Sequence, residues 1–166
     1  DIEPFSVRFG GPVYGFDVEE YIPKKEAKKM DAFIHYGIAA GIQAIRDSGI
    51  EVSDANAKRI GVAIGSGIGG VTGIENGYGA YLKGGPRRIS PFFVPANIIN
   101  MVAGDLSIKY GLKGPNYCTT SACASSGHAI TAACDQIRLG AADLMFAGGS
   151  EAAVCPMEPG VEPAVW

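Results

Sequence analysis

Histidine is scarce in this sequence, with only His35 and His128 among 166 residues. No Cys-x-x-Cys pair occurs, and Cys123 and His128 are five positions apart and so off one helix face, which removes the spacings that hold zinc; no metal is expected. Charge is sparse too: 19% of residues are charged and the net charge is −3, so bulk electrostatics point to neither nucleic acid nor an anionic membrane. Any basic site must be local. No apolar run reaches the eighteen positions of a membrane span, and no basic stretch followed by an apolar one opens the chain. The expectation is a cytoplasmic protein with no membrane partner. Internal repeats and low-complexity tracts are missing as well. The chain begins with Asp1 and closes on a Pro- and Glu-containing stretch with no recognisable element, so both ends are expected to be cut or altered, with one unit over residues 1–157 and a separate tail over 158–166.

What is present is apolar: 47% hydrophobic residues at this length provide for one α/β globular domain with a real core. Cys118, Cys123, Cys134 and Cys155 read as free thiols, because no secretory signal accompanies them. Ile34, Ile38, Ile42 and Ile45 recur at helical steps between Asp31, a capping residue, and Gly49, a left-handed stop, which predicts a helix over 31–48 after the charged lead-in Lys24–Lys29. Ile60–Ile64 reads as a buried strand that feeds the glycine loop 65–70. A helix is predicted over about 96–110, a strand over 116–122, a helix over 124–139 on Ile130, Ala133, Cys134 and Ile137, and a strand over 144–147. Strands alternating with helices imply right-handed crossovers and a mainly parallel sheet covered by helices.

Two motifs fail on inspection. Gly65-x-Gly67-x-x-Gly70 matches the dinucleotide fingerprint in form, but residues 83–95 hold no acidic residue to bind a ribose. Gly148-Gly149-Ser150-Glu151-Ala152 lacks the last glycine of the hydrolase elbow.

Cys123 is the residue with chemistry. It lies where a strand is predicted to end and a helix to begin, and a helix N-terminus, with its unpaired N–H groups and partial positive charge, favours thiolate over thiol. Ala122, Ala124, Ser125, Ser126 and Gly127 leave room for a carbonyl, and the Cys123 N–H is placed to serve a developing oxyanion. Spacing alone leaves a second reading open, in which Cys123 is a small buried residue at a helix start.

The segment Thr120-Ser121-Ala122-Cys123 with Gly114-Pro115 before it, His128 after it, and Gly140–Asp143 and Ala147–Ala152 beyond resembles the nucleophile region of the ketosynthases. Lys28–Ile34, Gly65–Gly70 and Gly84–Pro95 resemble the type II β-ketoacyl-acyl-carrier-protein synthases in particular, and the match runs from about residue 20 to Met157. The resemblance implies the N-terminal half of a thiolase-like fold and covalent acyl attachment at Cys123. It implies Ile68, Phe93 and Ile98 as acyl-pocket residues, the last two offered across a homodimer interface; each is otherwise an ordinary core residue. It implies docking of an acidic acyl carrier protein on Lys25, Lys28, Lys29, Arg87 and Arg88, for which a solvated charged face is the alternative. No resident cofactor is implied, since acyl chains arrive on the carrier's phosphopantetheine.

The family's two catalytic histidines, supporting lysine and Gly-Phe-Gly-Gly loop belong to a second half, so the missing C-terminal half is expected as a partner in cis or trans and this chain alone is expected to be acylated without condensing. His128 is expected to be structural and His35 solvated or partner-facing. Ser121 replaces the family's usual Thr. A non-catalytic interaction module is the rival reading, disfavoured because relatives that have lost catalysis lack the cysteine.

Overall fold

The computed structural model describes Gly11 and residues 13–154, so the tail 158–166 and Cys155 lie outside the described residues. Asp31 accepts the N–H of Phe33 and starts α2 (Ala32–Asp47), which follows the short α1 (Lys24–Ala27). The isoleucine stripe is buried along α2 as its spacing predicts, and Gly49, at φ +64°, ends it. Strand β1 (Ile60–Gly65) is buried at all six positions.

Beyond β1 come α3 (Val71–Gly84), α4 (Phe93–Asn97), α5 (Met101–Tyr110), β2 (Asn116–Tyr117), α6 (Ser125–Arg138) and β3 (Leu144–Gly149). The sheet order is β2-β1-β3, and β1 is parallel to both neighbours, with Val62 opposite Asn116 and Ile60 to Gly65 opposite Leu144 to Gly149. Parallel neighbours require crossover connections, and the helices supply them on both faces. On one face Ile60, Val62 and Ile64 meet Phe33, Ile34, Ile38, Ile42, Val102 and Leu106 from α2 and α5. On the other, Ala63 meets Ala129 and Ala133 of α6. Burial of this size is what holds so small a sheet together.

Four expectations need correction. The helix expected over 96–110 is two helices, because the carbonyls of Ala96 and Asn97 leave the helical ladder to accept the N–H groups of Asp31 and Gly70, and Ile98 is extended. The strand expected over 116–122 ends at Tyr117, after which Thr119 and Thr120 bond to Ser66 and the chain turns. No element is predicted over 71–84, where α3 forms: its four glycines disguise the helical spacing of Ile74, Tyr78 and Tyr81, and none of its residues is buried. The apolar face expected for α6 is divided, since only small residues fit against the sheet there and Ile130, Cys134 and Ile137 point away from it.

Candidate active site

Three segments converge on Cys123: the turn that precedes α6, the glycine loop after β1, and the end of β3. They bound a cavity of about 540 Å³ whose lining includes Ser66, Gly67, Ile68, Cys123, Ser150 and Glu151. The close approach of α6 to β1 depends on Gly65, because a Cβ there would strike the Ser125 carbonyl and the Ser126 nitrogen.

The turn itself is strained. Ala122 has φ +47°, the only non-glycine residue with positive φ among the described residues, and such a conformation costs roughly 1–2 kcal/mol. Ser125, 3% exposed, holds it: its hydroxyl donates to the Ala122 carbonyl at 2.6 Å and accepts the Ser121 N–H at 2.8 Å. The result is an exposed Cys123, two residues ahead of the first turn of α6. Among the described residues its N–H has no acceptor, so that donor is free for an oxyanion.

The other thiols differ. Cys118 is half-buried and its Sγ lies against the Thr119 carbonyl; burial pushes this thiol above its ordinary value. Cys134 is exposed on α6 outside the cavity. His128 places Nδ1 2.7 Å from the Ser121 hydroxyl and so braces the turn. His35, expected to be solvated or partner-facing, is half-buried: its Nε2–H donates to the Ala27 carbonyl at 2.9 Å, a carbonyl that also accepts the Met30 N–H, so the ring ties α2 to the end of α1.

Ile68 shares the cavity with Cys123 and is 46% exposed at its edge. Phe93 and Ile98 do not line it; Phe93 packs on α3 at Gly77, and Ile98 is exposed after α4. Lys25, Lys28, Arg87 and Arg88 are exposed, while Lys29 lies over the Phe92 ring at 4.5 Å and so joins the turn after α1 to the segment that precedes α4. None of these five forms an ion pair among the described residues. No group of three metal-ligating side chains occurs among the described residues.

Two residues escaped sequence reasoning in their roles. Ser125 carried the signal of a hydroxyl at a helix start, yet it reads there as merely small. Glu151 carried none: its carboxylate accepts the N–H groups of Ile68 at 2.7 Å and Gly69 at 3.2 Å, across 82 or more residues of chain.

A family model for the β-ketoacyl synthase N-terminal domain matches residues 10–161. The 3-oxoacyl-[acyl-carrier-protein] synthase 2 of Vibrio cholerae is 57% identical over 157 residues, and that of Staphylococcus aureus strain N315 is 45% identical over the same length. Each alignment covers 95% of this chain and 38% of the relative, so the chain spans about two fifths of the length of the curated relatives it matches. Among solved structures, a type II polyketide-synthase acyl-carrier protein in complex with its ketosynthase bound to the hexaketide aligns with TM-score 0.80 and 29% identity, over 86% of this chain and 41% of that one. A β-ketoacyl synthase from Burkholderia phymatum aligns with TM-score 0.67 and 31% identity, over 81% of this chain and 33% of that one. The fold is accordingly thiolase-like, and the chain belongs to the β-ketoacyl synthase family, of which it carries the N-terminal domain.

Proposed function

We propose that this chain supplies the acyl-accepting half of a β-ketoacyl-acyl-carrier-protein synthase, in which Cys123 takes an acyl group for later condensation with malonyl-carrier protein in fatty-acid or polyketide elongation. The observation that carries the reading is an exposed cysteine on a strained turn at the mouth of an apolar-edged cavity. The Cys123 thiolate attacks the thioester carbonyl of an acyl phosphopantetheine; a carbon–sulfur bond to Sγ forms, the bond to the carrier's sulfur breaks, and the carrier leaves as a thiol after taking a proton. The negative charge that develops on the carbonyl oxygen meets the Cys123 N–H. Condensation is assigned to a C-terminal half in cis or trans, since the two imidazoles of this chain are bonded to Ala27 and Ser121.

The carrier docks on the basic rim of Lys25, Lys28, Lys29, Arg87 and Arg88. Support comes from their lack of ion pairs among the described residues and from the cation–π contact of Lys29 with Phe92, which brings the turn after α1 to the loop before α4. Reversing charge at Lys25, Lys28 and Lys29 is expected to weaken binding of an acidic carrier protein and flatten its salt dependence; unchanged binding removes the assignment. The acyl chain runs past Ile68, and Phe93 and Ile98 complete the pocket across the two-fold axis of a homodimer. The exposure of Phe92, Val94 and Ile98 supports a covered face there. Free thiols at Cys118, Cys123 and Cys134, and the lack of any helix among the described residues long and apolar enough to cross a membrane, support a cytoplasmic setting.

The test is intact-mass analysis after incubation with a long-chain acyl-carrier protein or with cerulenin, for the unmodified protein and Cys123→Ala. A single adduct that the substitution removes is expected. A folded protein with no adduct would be a binding module.

A further inference from the structure

Glu151 has no part in the acyl transfer just described, yet its carboxylate anchors the middle of the loop that carries Ile68, whose two ends are held by the Ser66 N–H on Thr119 and the Gly70 N–H on Asn97. That loop is poor in anchors of its own: Gly67 and Gly69 have no side chains, and Ile68 is the loop's one large side chain, close to half exposed at the cavity edge. The Glu151 carboxylate accepts the Ile68 N–H at 2.7 Å and the Gly69 N–H at 3.2 Å, and it lies 3.4 Å from the Ser66 hydroxyl. Three donors from consecutive parts of one loop therefore share one carboxylate, which itself stands just past the end of β3 and is placed by the sheet. Charge-assisted bonds of this kind are the stronger ones.

We infer that Glu151 is a positioning residue that governs which acyl lengths reach Cys123, by clamping the backbone of Ile68 at the mouth of the cavity. The inference rests on the acyl-accepting role of Cys123. With the clamp made, the Ile68 side chain is held at the edge and limits how deeply a chain enters. With the clamp broken, the glycines on either side let the loop yield, and long chains gain more than short ones. Neither proton nor electron transfer to Glu151 is involved; the carboxylate acts through backbone position alone.

The experiment measures initial rates of Cys123 acylation, by intact mass, from octanoyl- and hexadecanoyl-carrier protein with the intact protein. Glu151→Gln, which keeps the volume and loses the charge, is expected to shift the long-to-short ratio by about fivefold or more in favour of the long chain, the order expected when one or two charge-assisted bonds holding a loop are lost. Glu151→Asp, which restores the charge, is expected to recover part of the shift. In an Ile68→Ala background, Glu151→Gln is expected to move the ratio by less than about twofold, because the residue through which it acts is gone. Amide exchange at Ile68 and Gly69 is expected to accelerate in Glu151→Gln while β1 stays protected.

An unchanged ratio overturns the inference, as does equal slowing of both chain lengths, and so does loss of β1 protection in Glu151→Gln, which would make the carboxylate a support of the fold. Failure of the unmodified protein to be acylated by either chain defeats the acyl-accepting role instead. The two failures are distinguishable, because exchange at Ile68 and Gly69 reports the clamp without any acyl donor.

Discussion

The two faces of the small sheet are built on opposite principles. Towards α2 and α5 the chain packs large side chains at full burial: Phe33, Ile34, Val62, Val102 and Leu106 have no exposed surface. Towards α6 it packs Ala63, Ala129 and Ala133, with Gly65 admitting the helix start to near contact. The large-residue face holds most of the apolar area, so it supplies most of the stability. The small-residue face buries less and fixes position instead, bringing the strained Ala122 turn and Cys123 against the end of β1. Stability and reactivity are thus divided between the two sides of one strand.

The comparison is tested most strongly by Leu106→Ala and Gly65→Ala. Leu106 is fully buried between α5 and the α2 stripe, where its truncation is expected to cost about 2–5 kcal/mol in urea unfolding, with Cys123 acylation unchanged under conditions where the protein stays folded. Gly65→Ala is expected to reverse this pattern: about 1–3 kcal/mol from overpacking, but at least a tenfold loss of acylation, because the added methyl displaces Ser125 and with it the turn. Equal effects of the two substitutions on stability and acylation would break the division.

The same division explains what could be read from the sequence. The large-residue face is written in period and hydrophobicity, so α2, β1 and the capping by Asp31 and Gly49 were legible. Cys123 was legible through its small neighbours and its family motif. The rest depends on contacts made across long stretches of chain. Asn97 gives its carbonyl to Gly70 and ends α4, an event with no local signal. The isoleucines of α6 read in the sequence as its core face, whereas the close approach to the sheet admits the alanines Ala129 and Ala133. Glu151 reads as one more charged residue until the fold brings it to the N–H groups of Ile68 and Gly69.

A smaller effect concerns a flaw on the large-residue side. Asp105 of α5 keeps one carboxylate oxygen buried without a hydrogen-bond partner, and burial, with Glu26 nearby, raises its pKa above the ordinary carboxylate value. A raised folded-state pKa means that the native chain binds the proton more tightly than the unfolded chain does. Stability from this group therefore falls as pH rises through the folded pKa, and the penalty is fully present at neutral pH. Asp105→Asn is expected to raise the melting temperature at pH 7, with the gain shrinking as pH falls towards about 4. Asp143, at the start of β3, has the opposite sign: its hydrogen bond to Arg59 lowers its pKa, so its contribution is present at neutral pH and fades on acidification. Melting curves of the two Asn variants across pH 3–7 should diverge in opposite directions, roughly as linkage requires.

The smallest expected effect lies on the outer side of α6. Ile137 is 44% exposed and points away from the sheet, so Ile137→Ser is expected to change the unfolding free energy of this chain by no more than about 0.5 kcal/mol. That near-neutrality is itself informative beside the cost at Leu106, for both are aliphatic residues on helices that pack against the same strand. A loss well above 1 kcal/mol would mean that the outer face is covered in solution. The cover is then identified by repeating the measurement at several protein concentrations: a second copy makes the melting temperature of the unmodified chain rise with concentration and leaves Ile137→Ser insensitive to it. If neither depends on concentration, the cover belongs to the chain itself, and the small-residue side of the sheet is a second core and not a positioning layer.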